Sequence, residues 1–434
     1  MSSSDAGLLG IACLLILFCL RMPVAFAMAF VGVGGCVYLL GFDIGISILG
    51  QEFFQEFNSY PLTCIPMFML MGTFASNSGI SKRMYCTAYK IIGATRGGLT
   101  MATVLACASF AAMSGSTTAT AAAMGAVALP EMKRYRYSDS LATGCVAAAG
   151  TLGILIPPST IFIIYGLMTQ ESIGKLFVAG ILPGALITVM FIITVAVVCW
   201  RNPEIAPPGE PSSLAEKARS LTGFFDALLL FLLIIGGLLL GWFGPTAAGG
   251  IGALGTLLLG LARRSLGWKG FVDSLHNGLM SACMILFIIA GATVFGKFMT
   301  LSDIPSTLAQ ALAGLQVSRW VIILLVCAGY MVGGCFMDSL PLIVLTVPIV
   351  FPTILAYNFD PIWFGVIIVL VTEMGVITPP VGVNVYVIKG IAPEVPIEKI
   401  FKGILPFFLA LLISLFILVI FPGISTFLPG LITY

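Results

Sequence analysis

Apolar residues fill this chain in stretches of membrane-crossing length that follow one another with only short polar gaps. A helix needs about 20 apolar residues to cross a bilayer, so the chain has room for on the order of ten to twelve such segments, some too short or too broken to cross simply. Lipid offers backbone groups no partner, which leaves helices or a closed barrel. Barrel strands would alternate apolar and polar positions, and the runs here are continuous. Composition agrees: 59% of the 434 residues are hydrophobic and 9% charged, too little polar surface to cover a soluble globule. The expectation is an all-α polytopic membrane protein.

The same inventory removes several functions. Net charge is +2 with no basic stripe, which argues against a nucleic-acid partner. The segment 1–20 lacks the basic start of a secretory signal and reads as a first membrane helix retained in the chain. Eleven cysteines, an odd number with no CxxC, read as small buried hydrophobes rather than disulfides or a zinc site. There is one histidine, His276, and no HExxH, Walker A or GxSxG pattern, so hydrolase and NTPase chemistry have no footing. An intramembrane enzyme would need paired catalytic groups, and the intramembrane carboxylates are isolated.

The sequence is also written twice. The one sustained polar stretch, 201–222, holds four prolines and reads as a linker between two membrane halves. Shifting the chain by 222 places Pro23 on Pro245, Pro130 on Pro352, Pro157 on Pro379 and Pro158 on Pro380. Gly153-Ile-Leu-Ile-Pro-Pro158 then overlays Gly375-Val-Ile-Thr-Pro-Pro380. Residues 1–200 and 223–434 are therefore read as membrane repeats, the pattern of a secondary transporter. The loop Lys133–Arg136 is basic and its counterpart 355–360 is not, whereas Arg263, Arg264 and Lys269 match an acidic stretch of the first half. Opposite charge bias in equivalent loops points to inverted repeats, with the linker and the Lys133–Arg136 loop cytoplasmic.

Each repeat contains two segments that break the rules of a membrane helix. One is Ser114-Gly-Ser-Thr-Thr-Ala-Thr120, matched by Phe336-Met-Asp-Ser-Leu340; the other is the Gly-x-x-x-Pro-Pro element. Tandem prolines remove N–H donors and push the preceding residue out of helical geometry, so these helices are expected to unwind inside the membrane. Exposed carbonyls and hydroxyls suit a sodium ion, and half-helix N-termini suit an anion. Two related ion sites follow: Ser114, Ser116, Gly153, Ile156 and Pro158 for the first, Asp338, Gly375, Thr378 and Pro380 for the second. Small and hydroxyl residues also serve plain helix packing; the matched Pro-Pro elements favour the ion reading. Intramembrane ionisable groups are costly, which singles out Asp338 and Glu373. Lys297 and His276 lie near segment ends and read as snorkelling or interfacial. Asn77 and Ser78 are candidates for the tip of a re-entrant hairpin.

At these motifs the chain resembles the large membrane subunit of the TRAP transporters, the tripartite ATP-independent periplasmic family of the ion transporter superfamily. The stretches that carry the likeness are Ile65-Pro-Met-Phe-Met-Leu-Met-Gly72, Ser114-Gly-Ser-Thr-Thr-Ala-Thr-Ala121, Gly153-Ile-Leu-Ile-Pro-Pro-Ser159, Pro245-Thr-Ala-Ala248, Met337-Asp338 and Thr378-Pro-Pro-Val-Gly382. The resemblance implies an elevator-type fold with two re-entrant hairpins, a scaffold and a moving transport domain, each drawn from both repeats. It implies sodium-coupled import of a small organic acid across the bacterial inner membrane, with sodium as the coupling ion. It further implies two partners, a small four-helix membrane subunit and a periplasmic substrate-binding protein. The chain opens directly on the first repeat, so the small subunit is expected to be separate. Ser114, Ser116, Gly153, Ile156 and Pro158 fall at the family's sodium position, while Phe336 departs from the first repeat's Ser114. The substrate carboxylate is expected near Ser159, Thr160 and Asn384. The competing reading is a stand-alone sodium/anion symporter of the same superfamily.

Overall fold

The computed structural model describes residues 2–307 and 318–432, so Met1, residues 308–317 and the last two residues of the expected repeats lie outside the described residues. The first half runs α1 (Ser3–Cys19), α2 (Val24–Leu40), α3 (Phe42–Phe57), α4 (Cys64–Asn77), α5 (Ile80–Ile92), α6 (Gly98–Ser114), α7 (Thr117–Arg134), α8 (Asp139–Gly150), α9 (Leu152–Leu155), α10 (Thr160–Thr169) and α11 (Ile173–Arg201). The short α12 (Leu214–Ser220) lies in the linker. The second half runs α13 (Thr222–Leu239), α14 (Pro245–Ala262), α15 (Trp268–Leu301), α16 (Arg319–Gly334), α17 (Ser339–Ala356), α18 (Pro361–Val376), α19 (Val383–Ile391), α20 (Ile397–Ile420) and α21 (Gly423–Gly430). Among the described residues six helices are long and apolar enough to cross a membrane, or seven if the α8–α10 pair, bent by 41°, counts as one span. Shorter apolar helices, such as α2, α6 and α18, supplement them.

The offset of 222 reappears in the helix boundaries. Shifted by it, α7 coincides with α17 at both ends, and α2 matches α14 and α10 matches α19 to within one residue. Cis peptide bonds recur at Pro157–Pro158 and Pro379–Pro380. The main departure is α15, a single helix of 34 residues, where the first half has both α3 and α4. Pro61 lies in the 3-10 turn Tyr60–Thr63 that separates those two helices, and its counterpart is Cys283, which imposes no break.

Packing between the halves is reciprocal. Helix α2 packs on α15 while its equivalent α14 packs on α4; α7 packs on α19 while α17 packs on α10. The halves also point in opposite directions. The α8–α10 span starts beside the linker, where Ser138 N–H donates to Ile205 O at 2.9 Å. Near its far end Tyr165 Oη donates to Pro361 O at 2.6 Å. Equivalent helix starts, at Asp139 and Pro361, thus lie at opposite ends of one span. The fold is an all-α inverted repeat.

Small residues let these helices approach at backbone distance. A Cβ on Gly32 would lie 2.7 Å from Phe295 N, and one on Gly291 would strike the Ala25 backbone, which seats α2 on α15. A Cβ on Gly144 would run into the Gly403 backbone between α8 and α20. Charge pins the amphipathic α5, whose Ile80, Met84 and Ala88 are buried on one face. Its Arg83 reaches the buried Asp226 of α13 at 3.4 Å, and Arg263 at the end of α14 reaches the same carboxylate at 2.6 Å. Asn77 and Ser78 stand at this joint between α4 and α5: Asn77 Nδ2 donates to Ser274 Oγ of α15 at 2.7 Å, and Ser78 O accepts from Arg83 at 3.2 Å. They form an anchored corner rather than a free tip.

Close approach at Gly144 gives a direct check. Gly144→Ala should force α8 and α20 apart and destabilise the protein by about 1–3 kcal/mol, the usual range for overpacking. Gly390→Ala, on an open helix face, should leave the melting temperature in detergent unchanged or raise it slightly.

Candidate functional site

The first break is built by Gly115, whose φ of +58° ends α6 in the left-handed region that glycine tolerates. The chain re-enters a helix at once, because Ser116 is extended and its Oγ accepts from Ala119 N–H at 3.4 Å as an N-cap. Around this turn the hydroxyls converge. Ser114 Oγ and Thr120 Oγ1 share a hydrogen bond at 2.5 Å, and both oxygens lie near Ser116 O, at 3.3 and 2.8 Å. Gly153 closes the cluster from α9: a Cβ there would collide with Ser116 O and come within 2.6 Å of Thr120 Oγ1. On the other side Thr160 Oγ1 donates to Gly115 O at 2.9 Å, and Pro158 O would lie 3.0 Å from a Cβ on Gly115. Ser114, Ser116, Gly153 and Pro158 therefore lie close together. Ile156 is extended in the second break, and its side chain packs toward Gly184 of α11. Thr120 belongs to the cluster and was missed; its spacing of four from Ser116, one helical turn, was the available signal.

The second repeat builds a related but different site. Asp338 is extended and caps α17, its Oδ1 accepting from Ser339 N–H at 2.8 Å. Gly334 and Gly375 touch at backbone distance, and Val381 N–H donates to Cys335 O at 3.2 Å, so the two breaks are again stitched together. Thr378 is folded locally, its N–H on Gly375 O at 2.8 Å and its Oγ1 on Met374 O at 2.5 Å. Pro380 follows the cis bond and is exposed. Phe336 is 62% exposed and lines the adjoining cavity, where the first repeat turns Ser114 inward.

That cavity, about 670 Å³, lies between α2 and α15 on one side and the helix breaks on the other. Phe26, Met284 and Phe287 form its apolar wall; Ser116, Thr160, Asp338 and Val383 face them. Its described lining includes one carboxylate and no Lys, Arg or His. Ser159 is fully buried and caps α10 through a bond from Phe162 N–H at 3.4 Å. Asn384 is buried behind Val383, its Nδ2 on Ala147 O at 3.1 Å and its Oδ1 without a partner. Thr160 lines the cavity; Ser159 and Asn384 support it from behind.

Helix N-termini carry partial positive charge, and most of those at the breaks are already satisfied. Ser116, Ser159 and Asp338 cap α7, α10 and α17. The buried Glu373 adds a carboxylate between α7 and α17, accepting from Thr117 Oγ1 at 3.0 Å and Ser339 Oγ at 2.7 Å. By contrast α19 starts from Gly382, with φ +66° and no side-chain cap. Thr117 and Ser339 were not expected as site residues, although they lie 222 apart. Losing a hydroxyl of the first cluster should be measurable: Thr120→Val should lower stability by about 1 kcal/mol, the net worth of a hydrogen bond. Gly153→Ala should lower it further, as read by thermal unfolding in detergent.

Comparison with known proteins agrees with this architecture. The family profile described as "Tripartite ATP-independent periplasmic transporter, DctM component" matches residues 11–424. The chain is 35% identical over 401 residues to the C4-dicarboxylate TRAP transporter large permease protein DctM of Pseudomonas aeruginosa, covering 92% of this chain and 93% of that one. It is 35% identical over 396 residues to the isethionate TRAP transporter permease protein DctMQ of Oleidesulfovibrio alaskensis, covering 89% of this chain and 61% of that longer protein. It is 31% identical over 411 residues to the sialic acid TRAP transporter large permease protein SiaM of Vibrio cholerae, covering 94% and 95%. In fold alone it resembles the crystal structure of the Alcanivorax borkumensis YdaH transporter, with a TM-score of 0.65 at 16% identity, covering 89% and 90% of the two chains.

Proposed function

The chain belongs to the DctM component of the tripartite ATP-independent periplasmic transporters, a large permease of the inner membrane and not an enzyme, and on that premise we propose that it carries a small organic acid inward together with sodium ions. A periplasmic binding protein delivers the acid, and a small four-helix membrane subunit completes the complex. Membership of a tripartite family favours this over a stand-alone symporter. The relatives' names point to the substrate class, since they specify C4-dicarboxylate, isethionate and sialic acid.

The observation that carries the sodium half is the lining of the cavity. An organic anion entering it meets Asp338 and no basic side chain among the described residues. Its charge must then be met by helix N-termini and by cations that enter with it. The first sodium is assigned to the cluster of Ser114, Ser116, Thr120, Gly153, Ile156 and Pro158, where hydroxyls and freed carbonyls converge. The second is assigned to Asp338 with the backbone around Gly375, Thr378 and Pro380. The substrate carboxylate is assigned to the uncapped start of α19 beside Thr160, with Ser159 and Asn384 holding the backbone behind it.

In the elevator reading α1–α4 and α13–α15 form the scaffold, while α6–α11 and α16–α20 carry the sites across the membrane. The linker and the Lys133–Arg136 loop face the cytoplasm. The apolar wall of Phe26, Met284 and Phe287 belongs to the scaffold, so a moving site would slide against a surface that holds no charge.

Selective ion binding stabilises a folded protein by about 2–3 kcal/mol at a hundredfold excess over Kd. Sodium should therefore raise the melting temperature of the detergent-purified protein by a few degrees over equimolar potassium, and Ser116→Ala should reduce that rise. Equal melting in the two salts would remove the sodium assignment.

A further inference from the structure

We propose that Glu373 is a positioning residue that couples the two ion sites, so that filling one raises the affinity of the other. The coupling rests on the two-sodium reading above and adds to it the physical link between the sites.

The link is short. Thr117 is the first residue of α7 and Ser339 the first of α17, equivalent positions in the two repeats. Each directly follows a cap residue assigned to an ion, Ser116 in one repeat and Asp338 in the other. One carboxylate spans them: Glu373 Oε2 accepts from Thr117 Oγ1 at 3.0 Å and Oε1 from Ser339 Oγ at 2.7 Å. The chain of contacts from Ser116 to Asp338 thus passes through three side chains, Thr117, Glu373 and Ser339.

Glu373 also breaks the repeat. Its counterpart in the first half is Thr151, whose Oγ1 donates within its own helix to Ala148 O at 2.6 Å. A duplicated fold with a single carboxylate at this position has one tie shared by two sites, rather than a tie for each. Glu373 is 1% exposed, in a segment where an ionisable group is costly to bury. The two hydroxyls and the N-termini of two half-helices offset that cost only while both helices keep their present relation. A shift of α7 around an ion at Ser116 therefore loads or relieves the bond to Ser339. Both sites then bias one shared geometry, the requirement for a coupling free energy between them.

The test is an equilibrium sodium titration of the detergent-purified full chain at constant ionic strength, followed by the heat of binding in a calorimeter, with the melting temperature read separately to show whether sodium stabilises each variant. Wild type should bind with a Hill coefficient above one. Thr117→Val and Ser339→Ala, which each cut one arm and leave the ion ligands in place, should lower the coefficient to one. They should raise half-saturating sodium by on the order of five-fold or more, while sodium still stabilises the protein. Thr372→Val, which removes a buried hydroxyl beside Glu373 that bonds only Ile368 O, should behave as wild type. If Thr117→Val does not fold, Ser339→Ala decides alone. An unchanged coefficient in the cut variants, or a coefficient of one in a sodium-sensitive wild type, overturns the coupling and leaves the sodium sites standing. A wild type indifferent to sodium overturns both.

Discussion

Helices that stop inside a membrane leave N–H and C=O groups that lipid cannot satisfy, and the organisation of this protein follows from where those groups find partners. Around the breaks the chain supplies hydroxyl or carboxylate caps, glycines that admit a second backbone, and neighbouring carbonyls. Ser116, Ser159 and Asp338 cap three of the broken helices. Gly153 admits Ser116 O, and Gly375 admits Gly334. The start of α19 has no side-chain cap, and it borders the cavity. That uncapped start is where the proposal above seats the substrate carboxylate.

The surrounding helices pack against the segments that carry the breaks. Packing at glycines such as Gly32, Gly144 and Gly291 brings backbones together and leaves little room for compensation. The Arg83–Asp226–Arg263 cluster ties α5 to the second repeat. It does so at the corner where the chain passes from the helices packed on α15 to those that carry the breaks. A buried carboxylate shared by two arginines resists being pulled apart, since separation would strand the charge. The corner is therefore held in place.

Much of this was legible in the residues alone. The offset of 222 found from four prolines is the offset at which helix boundaries and cis bonds recur, because proline acts locally and marks its site wherever the chain goes. The cluster at Ser114, Ser116 and Gly153 was legible for the same reason. The bridge through Glu373 was not, since Thr117 and Glu373 are 256 positions apart and only tertiary packing joins them. The resemblance puts the substrate near Asn384, yet the rotation of α19 turns Val383 to the cavity and Asn384 to Ala147. The single long α15 was visible only as a missing proline at position 283.

The central claim is that sodium and a delivered organic acid cross together through these breaks. The most direct measurement is uptake into proteoliposomes by the chain assembled with its small membrane subunit, using the acid held by the periplasmic binding protein. The account predicts accumulation that requires both an inward sodium gradient and the binding protein, and that Ser116→Ala suppresses. Uptake of the same size with potassium in place of sodium, or without the binding protein, would contradict it.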